Sequence, residues 1–152
     1  KIVLGVPLYG YNWVVATTGV CPADAPGQRE AVAQHQVDEL IAKRSAVPVF
    51  NATTGESSFS YDLELTDGVT TCVQTRQVHY VDAEGARLRI DLARRSFVGG
   101  AALWALGFDD AATWQAIGSL GRLEDTDGTG GSGGTDGTGG STTVGAGSTV
   151  SG

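Results

Sequence analysis

Residues 1–13 read KIVLGVPLYGYNW. The run from Ile2 to Leu8 is apolar throughout, the pattern of a short strand buried on both faces, as in parallel sheets. Packing accounts for that half of the stretch. It does not account for Tyr9, Tyr11 and Trp13, three rings in five residues with Gly10 between the first two.

Outward from this strand, the next clear signal is AVAQHQVDELIAKR at 31–44. Ala33, Val37, Leu40, Ile41 and Arg44 fall at helical spacing, and Lys43 and Arg44 sit where cations suit the helix dipole. Residues 16–30 collect Thr, Gly, Pro and Asp and predict a loop. Residues 47–81 change character: VPVF, SSFSYDLEL and TTCVQTRQVHYV are short β-prone runs separated by NATTGE and TDG, which predict antiparallel strands joined by turns. Phe59, Tyr61, Leu63 and Leu65 alternate, so one face of that strand is buried and the other wet.

Asp82 has the place of an N-cap for a helix over AEGARLRIDLARRSF, with Ala86, Ile90, Ala93 and Phe97 on one face despite Gly85. The densest basic group, Arg87, Arg89, Arg94 and Arg95, is expected on its solvated face. VGGAALWALG at 98–107 is a second continuous apolar, strand-like run, ending near Trp104. Asp109 and Asp110 then open a last helix with Trp114, Ile117 and Leu120. Without residues about 14–80 the order is β-α-β-α, the repeating unit of a parallel α/β fold, and the α+β insertion follows the carboxyl end of a strand, where such folds carry ligands. Tyr9 and Trp104 end the two buried strands. Rings at such a mouth suit saccharides, whose C–H faces pack on aromatic planes, although a core role explains Trp104 equally.

Composition narrows the function classes. The 152-residue chain carries a net charge of −7, and its ten basic residues are scattered, which argues against a nucleic-acid partner. No apolar run is long enough to span a membrane. His35 and His79 are far apart and no C-x2-C spacing occurs, so neither a zinc site nor another cofactor is expected. Cys21 and Cys72 leave two readings: a disulfide in an exported protein, or two buried thiols. From Glu124 onward nearly every residue is Gly, Ser, Thr or Asp. Residues 122–152 are expected to be a disordered, flexible linker spanning about 30 Å, of the kind that tethers a carbohydrate-binding module or simply ends a chain. With no leader and no initiator Met, the sequence is read as an internal or C-terminal piece of a larger protein, with residues 1–121 its foldable part.

GVPLYGYNW (5–13), the α+β insertion, DAEGARLRIDLARR (82–95) and GGAALWALGFDD (99–110) together resemble the C-terminal part of glycoside hydrolase family 18, the family of chitinases and spore-peptidoglycan hydrolases. The resemblance covers about residues 1–120. It implies the last two βα units of a TIM barrel with the chitinase insertion subdomain, in a secreted enzyme cleaving β-1,4-linked N-acetylglucosamine polymers. It places Tyr9 against the sugar near the cleaved bond and Trp104 under the sugar whose bond is cut, with Asn12 and Trp13 as cleft residues. Many chitinases carry Arg where this chain has Tyr11. The family's acid-bearing pattern Asp-x-x-Asp-x-Asp-x-Glu is absent here. The implied mechanism is substrate-assisted: a Glu protonates the leaving oxygen while the N-acetyl carbonyl attacks the anomeric carbon. Loss of that acid removes a proton transfer worth about 10²–10⁴-fold, so no catalytic residue is expected in this chain. The alternative is a non-catalytic saccharide-binding relative.

Overall fold

The computed structural model describes residues 2–120; the expected linker at 122–152 lies outside the described residues. Ten elements follow in order: β1 (Leu4–Pro7), β2 (Tyr9–Gly19), β3 (Arg29–Ala33), α1 (Gln34–Arg44), β4 (Val49–Asn51), β5 (Glu56–Thr66), β6 (Thr71–Tyr80), α2 (Ala83–Arg95), β7 (Ala101–Trp104) and α3 (Ala111–Gly118). β1 and β7 form a parallel pair, in register from Leu4–Ala101 to Pro7–Trp104. The other five strands form an antiparallel sheet in the order β3-β2-β6-β5-β4.

Two apolar clusters hold these sheets to their helices. Val6 of β1 packs with Val81, Ala86, Ile90 and Leu103, so α2 covers one face of the parallel pair. Val32, Val37, Phe59, Val78 and Tyr80 form the second cluster, with Leu40, Ile41 and Tyr61 packed against it. Each fully buried aliphatic side chain here stabilises by about 1.5–3 kcal/mol. The helical stripe of α1 is therefore real from Val37 to Ile41, and Arg44 lies over the Tyr61 ring with its Cζ 4.9 Å from the centroid.

Several boundaries differ from expectation. Ala31–Ala33 belong to β3, because their backbones pair with Tyr9–Tyr11, and cross-strand pairing outweighs a local helical preference. Residues 16–19, expected in a loop, continue β2 beyond an irregularity between Val14 and Ala16; Thr17 and Thr18 suit a strand that pairs with β6. The aromatic stretch also moves. Tyr9 does not end β1 but begins β2, so Tyr9, Tyr11 and Trp13 stand in the first strand of the antiparallel sheet, ahead of the insertion boundary expected near residue 14.

On the helices, Phe97 lies beyond the end of α2 with φ 53° and is 97% exposed, so it does not share the buried face of Ala86 and Ala93. In α3 the buried side chain is Thr113, whereas Trp114 is 43% exposed and donates its indole N–H to Asp109 at 2.7 Å. That bond, followed by the Gly107 N–H, holds the Asp109 carboxyl below the usual range. The arginines of α2 divide. Arg87 and Arg95 pair with Glu84 and Asp91 on the exposed surface. Arg89 instead donates to the Gly55 and Thr54 carbonyls, and Arg94 to the Leu120 carbonyl, so both tie other segments to the helix.

The caps and close contacts explain the local choices. Asp82 accepts from the Gly85 N–H at 2.8 Å and from the Ser57 hydroxyl, which joins the start of α2 to β5. A Cβ on Gly85 would stand 2.3 Å from the Gly55 carbonyl, so this helical position admits only glycine while the 51–55 turn rests on it. Gly10 is under the same constraint: a Cβ there would lie 2.1 Å from the His79 carbonyl. A disulfide joins Cys21 to Cys72 across 51 residues at the far end of the β2–β6 pair, worth about 4 kcal/mol in the chain-entropy account.

The two sheets should differ in local stability. β1 and β7 are short and, among the described residues, pair only with each other, and Ile2, Trp104 and Leu106 around them are largely solvent-exposed. In residues 1–121 expressed alone, amide hydrogen exchange should be fast across β1 and β7 and slowest in β5 and β6. A single cooperative transition with β1 and β7 protected as strongly as β6 would refute this. Gly10→Ala should cost about 1–3 kcal/mol and lower the melting temperature by several degrees.

Candidate functional site

Strand alternation divides the antiparallel sheet into two faces. Asn12 pairs with Val78, whose side chain is in the core under α1. The rings at 9, 11 and 13 therefore point the other way, as do their ladder partners Ala33, Ala31 and Arg29 on β3 and His79 and Gln77 on β6. α1 covers the first face. On the other, Tyr9 and Tyr11 meet edge to face at 5.8 Å between centroids, and Tyr11 and Trp13 at 5.7 Å. The Arg29 guanidinium lies over both Tyr11, at 5.0 Å, and Trp13, at 5.5 Å. Together these contacts make a continuous row of ring surface along one strand.

The row borders a depression of about 240 Å³ whose lining includes Pro7, Tyr9, Tyr11, Trp13, Glu56 and His79. Glu56 is the one carboxylate in that lining and is ion-paired with Arg89 at 3.7 Å. Aromatic planes with sparse polar groups around them can hold a ligand with alternating C–H faces and hydroxyls.

The structure brings Tyr9, Tyr11 and Trp13 together and separates them from two other expected site residues. Trp104 does not line the depression. It ends β7 opposite Pro7, its carbonyl accepts from Leu8 N–H at 2.7 Å, and its side chain is 70% exposed. Since Val6 and Leu103 face α2, alternation turns Trp104 to the side of the parallel pair that α2 does not cover. Asn12 is 6% exposed on the helix-covered face. Its amide N–H donates to the Tyr61 hydroxyl at 2.9 Å, and its carbonyl accepts from Arg76 Nε at 3.2 Å.

Sequence reasoning missed Arg76. It is 1% exposed, and its guanidinium also donates to Gln74 Oε1, the Gly27 carbonyl and Glu30. A buried guanidinium is tolerable only with its donors engaged, and this one pins the 21–28 loop and β3 behind β2. A polar residue in the alternation of β6 was the available signal, but alternation alone gave it to either face. Arg29 was missed too, because it lies in the stretch taken as loop.

No protein-family model matches the chain. A glycosylase of Bacillus subtilis (strain 168), YvbX, described as uncharacterized, is 27% identical over 118 residues, 77% of this chain and 30% of that protein. Among solved structures, a chitinase from Chromobacterium violaceum superposes with a TM-score of 0.62 at 29% identity, over 80% of this chain and 33% of its own. The spore cortex-lytic enzyme SleL of Bacillus megaterium gives 0.56 at 24% identity, over 78% and 25%. A glycoside hydrolase family 18 chitinase from Cycas revoluta, solved with (GlcNAc)4, gives 0.54 at 22% identity, over 77% and 32%. The resemblance to family 18 chitinases and spore cortex-lytic enzymes is thus found in the fold as well as in the motifs. The chain spans a third or less of the length of each of these proteins.

The geometry separates a supporting residue from the ring row. Asn12→Ala leaves Arg76 Nε and the Tyr61 hydroxyl without partners, and should destabilise the fold by about 1–3 kcal/mol in thermal melting. Tyr11→Ala, on the open face, should shift the melting temperature far less. Equal losses from both would contradict the division between faces.

Proposed function

We propose that this chain is the C-terminal part of a secreted glycoside hydrolase of the family 18 type, acting on β-1,4-linked N-acetylglucosamine polymers of chitin or peptidoglycan type. In this reading β1, α2, β7 and α3 are the last two units of a (β/α)8 barrel completed by chain outside this sequence. Residues from Tyr9 to Tyr80 form the inserted subdomain that walls the cleft, and residues 122–152 form a tether, with a carbohydrate-binding module as its cargo. Tyr9, Tyr11 and Trp13 take sugar faces, Trp104 forms the floor under the sugar at the cleaved bond, and Asn12 holds β2 in place from behind. The proton-donating acid comes from outside this chain.

The observation that carries the reading is the row of three rings on the open face of β2, beside the parallel strand pair of a chitinase-like fold. The disulfide supports an oxidising compartment. No helix among the described residues is long and apolar enough to cross a membrane.

In the complete gene product, Trp104→Ala should lower kcat/KM on chitooligosaccharides by about ten- to a hundredfold, the loss of one buried aromatic contact. Unchanged turnover and affinity would remove Trp104 from the floor. Tight oligosaccharide binding with no turnover by the wild type would turn the reading to a non-catalytic saccharide binder.

A further inference from the structure

Two polymer classes remain under the reading above: neutral chitin, and the peptidoglycan type with its carboxylates. Arg29 bears on the choice between them. It pairs with Trp13 across β2 and β3, so it stands on the open face with the rings, and its side chain is exposed there. The ion pairs among the described residues are Arg76–Glu30, Arg87–Glu84, Arg89–Glu56 and Arg95–Asp91, and none includes Arg29. Its guanidinium rests instead over two rings. Cation–π attraction holds the guanidinium beside the rings and leaves its N–H groups able to donate to a ligand. The result is a fork of donors beside the rings with no acid partner among the described residues, in a chain whose net charge is −7.

The other charged or titratable side chains on this face do not neutralise it. Glu56, at the Tyr9 end, is held by Arg89. Asp62, which accepts from the Thr75 hydroxyl at 2.8 Å, and Glu64 lie on β5, with β2 and β6 between them and the strand of Arg29. His79 stands opposite Tyr11. A neutral polymer gives a guanidinium only hydroxyl and amide oxygens, whereas a carboxylate meets its fork with two parallel charge-assisted bonds.

We infer that Arg29 recognises a carboxylate on an amino-sugar polymer, the 3-O-lactyl acid of an N-acetylmuramic residue or the acidic peptide attached to it, and so selects the peptidoglycan type over chitin. This rests on the saccharide-cleft reading above. The rings take the apolar sugar faces, and Arg29 takes the anionic substituent at the Trp13 end of the row.

The test is calorimetric binding to the complete gene product, with three ligands: chitotetraose, the peptide-free tetrasaccharide alternating N-acetylglucosamine with N-acetylmuramic acid, and the same tetrasaccharide bearing acidic dipeptides. The wild type should bind one or both anionic ligands roughly five- to tenfold more tightly than chitotetraose, a modest factor because the site is solvent-exposed. Whichever anionic ligand carries the preference identifies the source of the carboxylate. Arg29→Gln should abolish the preference, each anionic ligand being compared with chitotetraose on the same variant, while Arg29→Lys, which keeps charge without the fork, should retain part of it. The preference should also shrink as salt rises, which a purely structural role for Arg29 would not produce. Equal weakening of all three ligands in Arg29→Gln, or no wild-type preference for either anionic ligand, overturns the assignment and leaves the saccharide reading standing. Failure of the wild type to bind any of the three overturns that reading and the assignment with it.

Discussion

The buried Gln34 side chain is the point on which the parts of this structure depend. It is 1% exposed at the start of α1. Its backbone N–H is shared between the Leu8 and Phe108 carbonyls, its amide N–H donates to the Val81 carbonyl at 2.7 Å, and its Oε1 accepts from the Thr113 hydroxyl. These bonds reach the link between β1 and β2, the link between β6 and α2, the loop after β7, and α3. A buried amide that lost these partners would leave polar groups without water or protein to satisfy them. The four junctions are therefore positioned together.

The candidate site follows from that arrangement and from strand alternation. Behind β2, the Arg76–Asn12–Tyr61 chain of hydrogen bonds and the α1 cluster hold the strand flat against a filled core. In front, the same strand presents Tyr9, Tyr11 and Trp13 at successive same-side positions. The close approach of Gly10 to His79 and Tyr80 brings β6 tight against β2 beside the ring row. Rigidity on one face and open aromatic surface on the other are two results of one period-2 pattern.

Much of this was legible in the residues. The apolar runs at 2–8 and 98–107 located the parallel strands, Asp82 and Asp110 marked two helix starts, and the alternation at 59–65 identified a half-buried strand. The ring cluster announced itself by composition. What could not be read was assignment to a face and to a partner. Ala31–Ala33 looked helical until Tyr9–Tyr11 paired with them. Trp114 fitted a helical stripe, yet Thr113 took the interior because Gln34 supplied its partner there. Phe97 fitted the stripe of α2 but fell beyond its last turn.

The sequence by itself determined the two parallel strands, the three helices, the strands within 47–81, the rings at 9, 11 and 13, and the family resemblance, because these depend on local periodicity and on motifs along the chain; β3 and the far half of β2 came from cross-strand pairing instead. The tertiary structure alone decided which side chains share a surface. It put Asn12 behind the rings and Arg29 among them, joined Cys21 to Cys72, and buried Arg76. The physical reason is that an isolated strand has two equivalent faces, and only what packs against one of them makes the other a site.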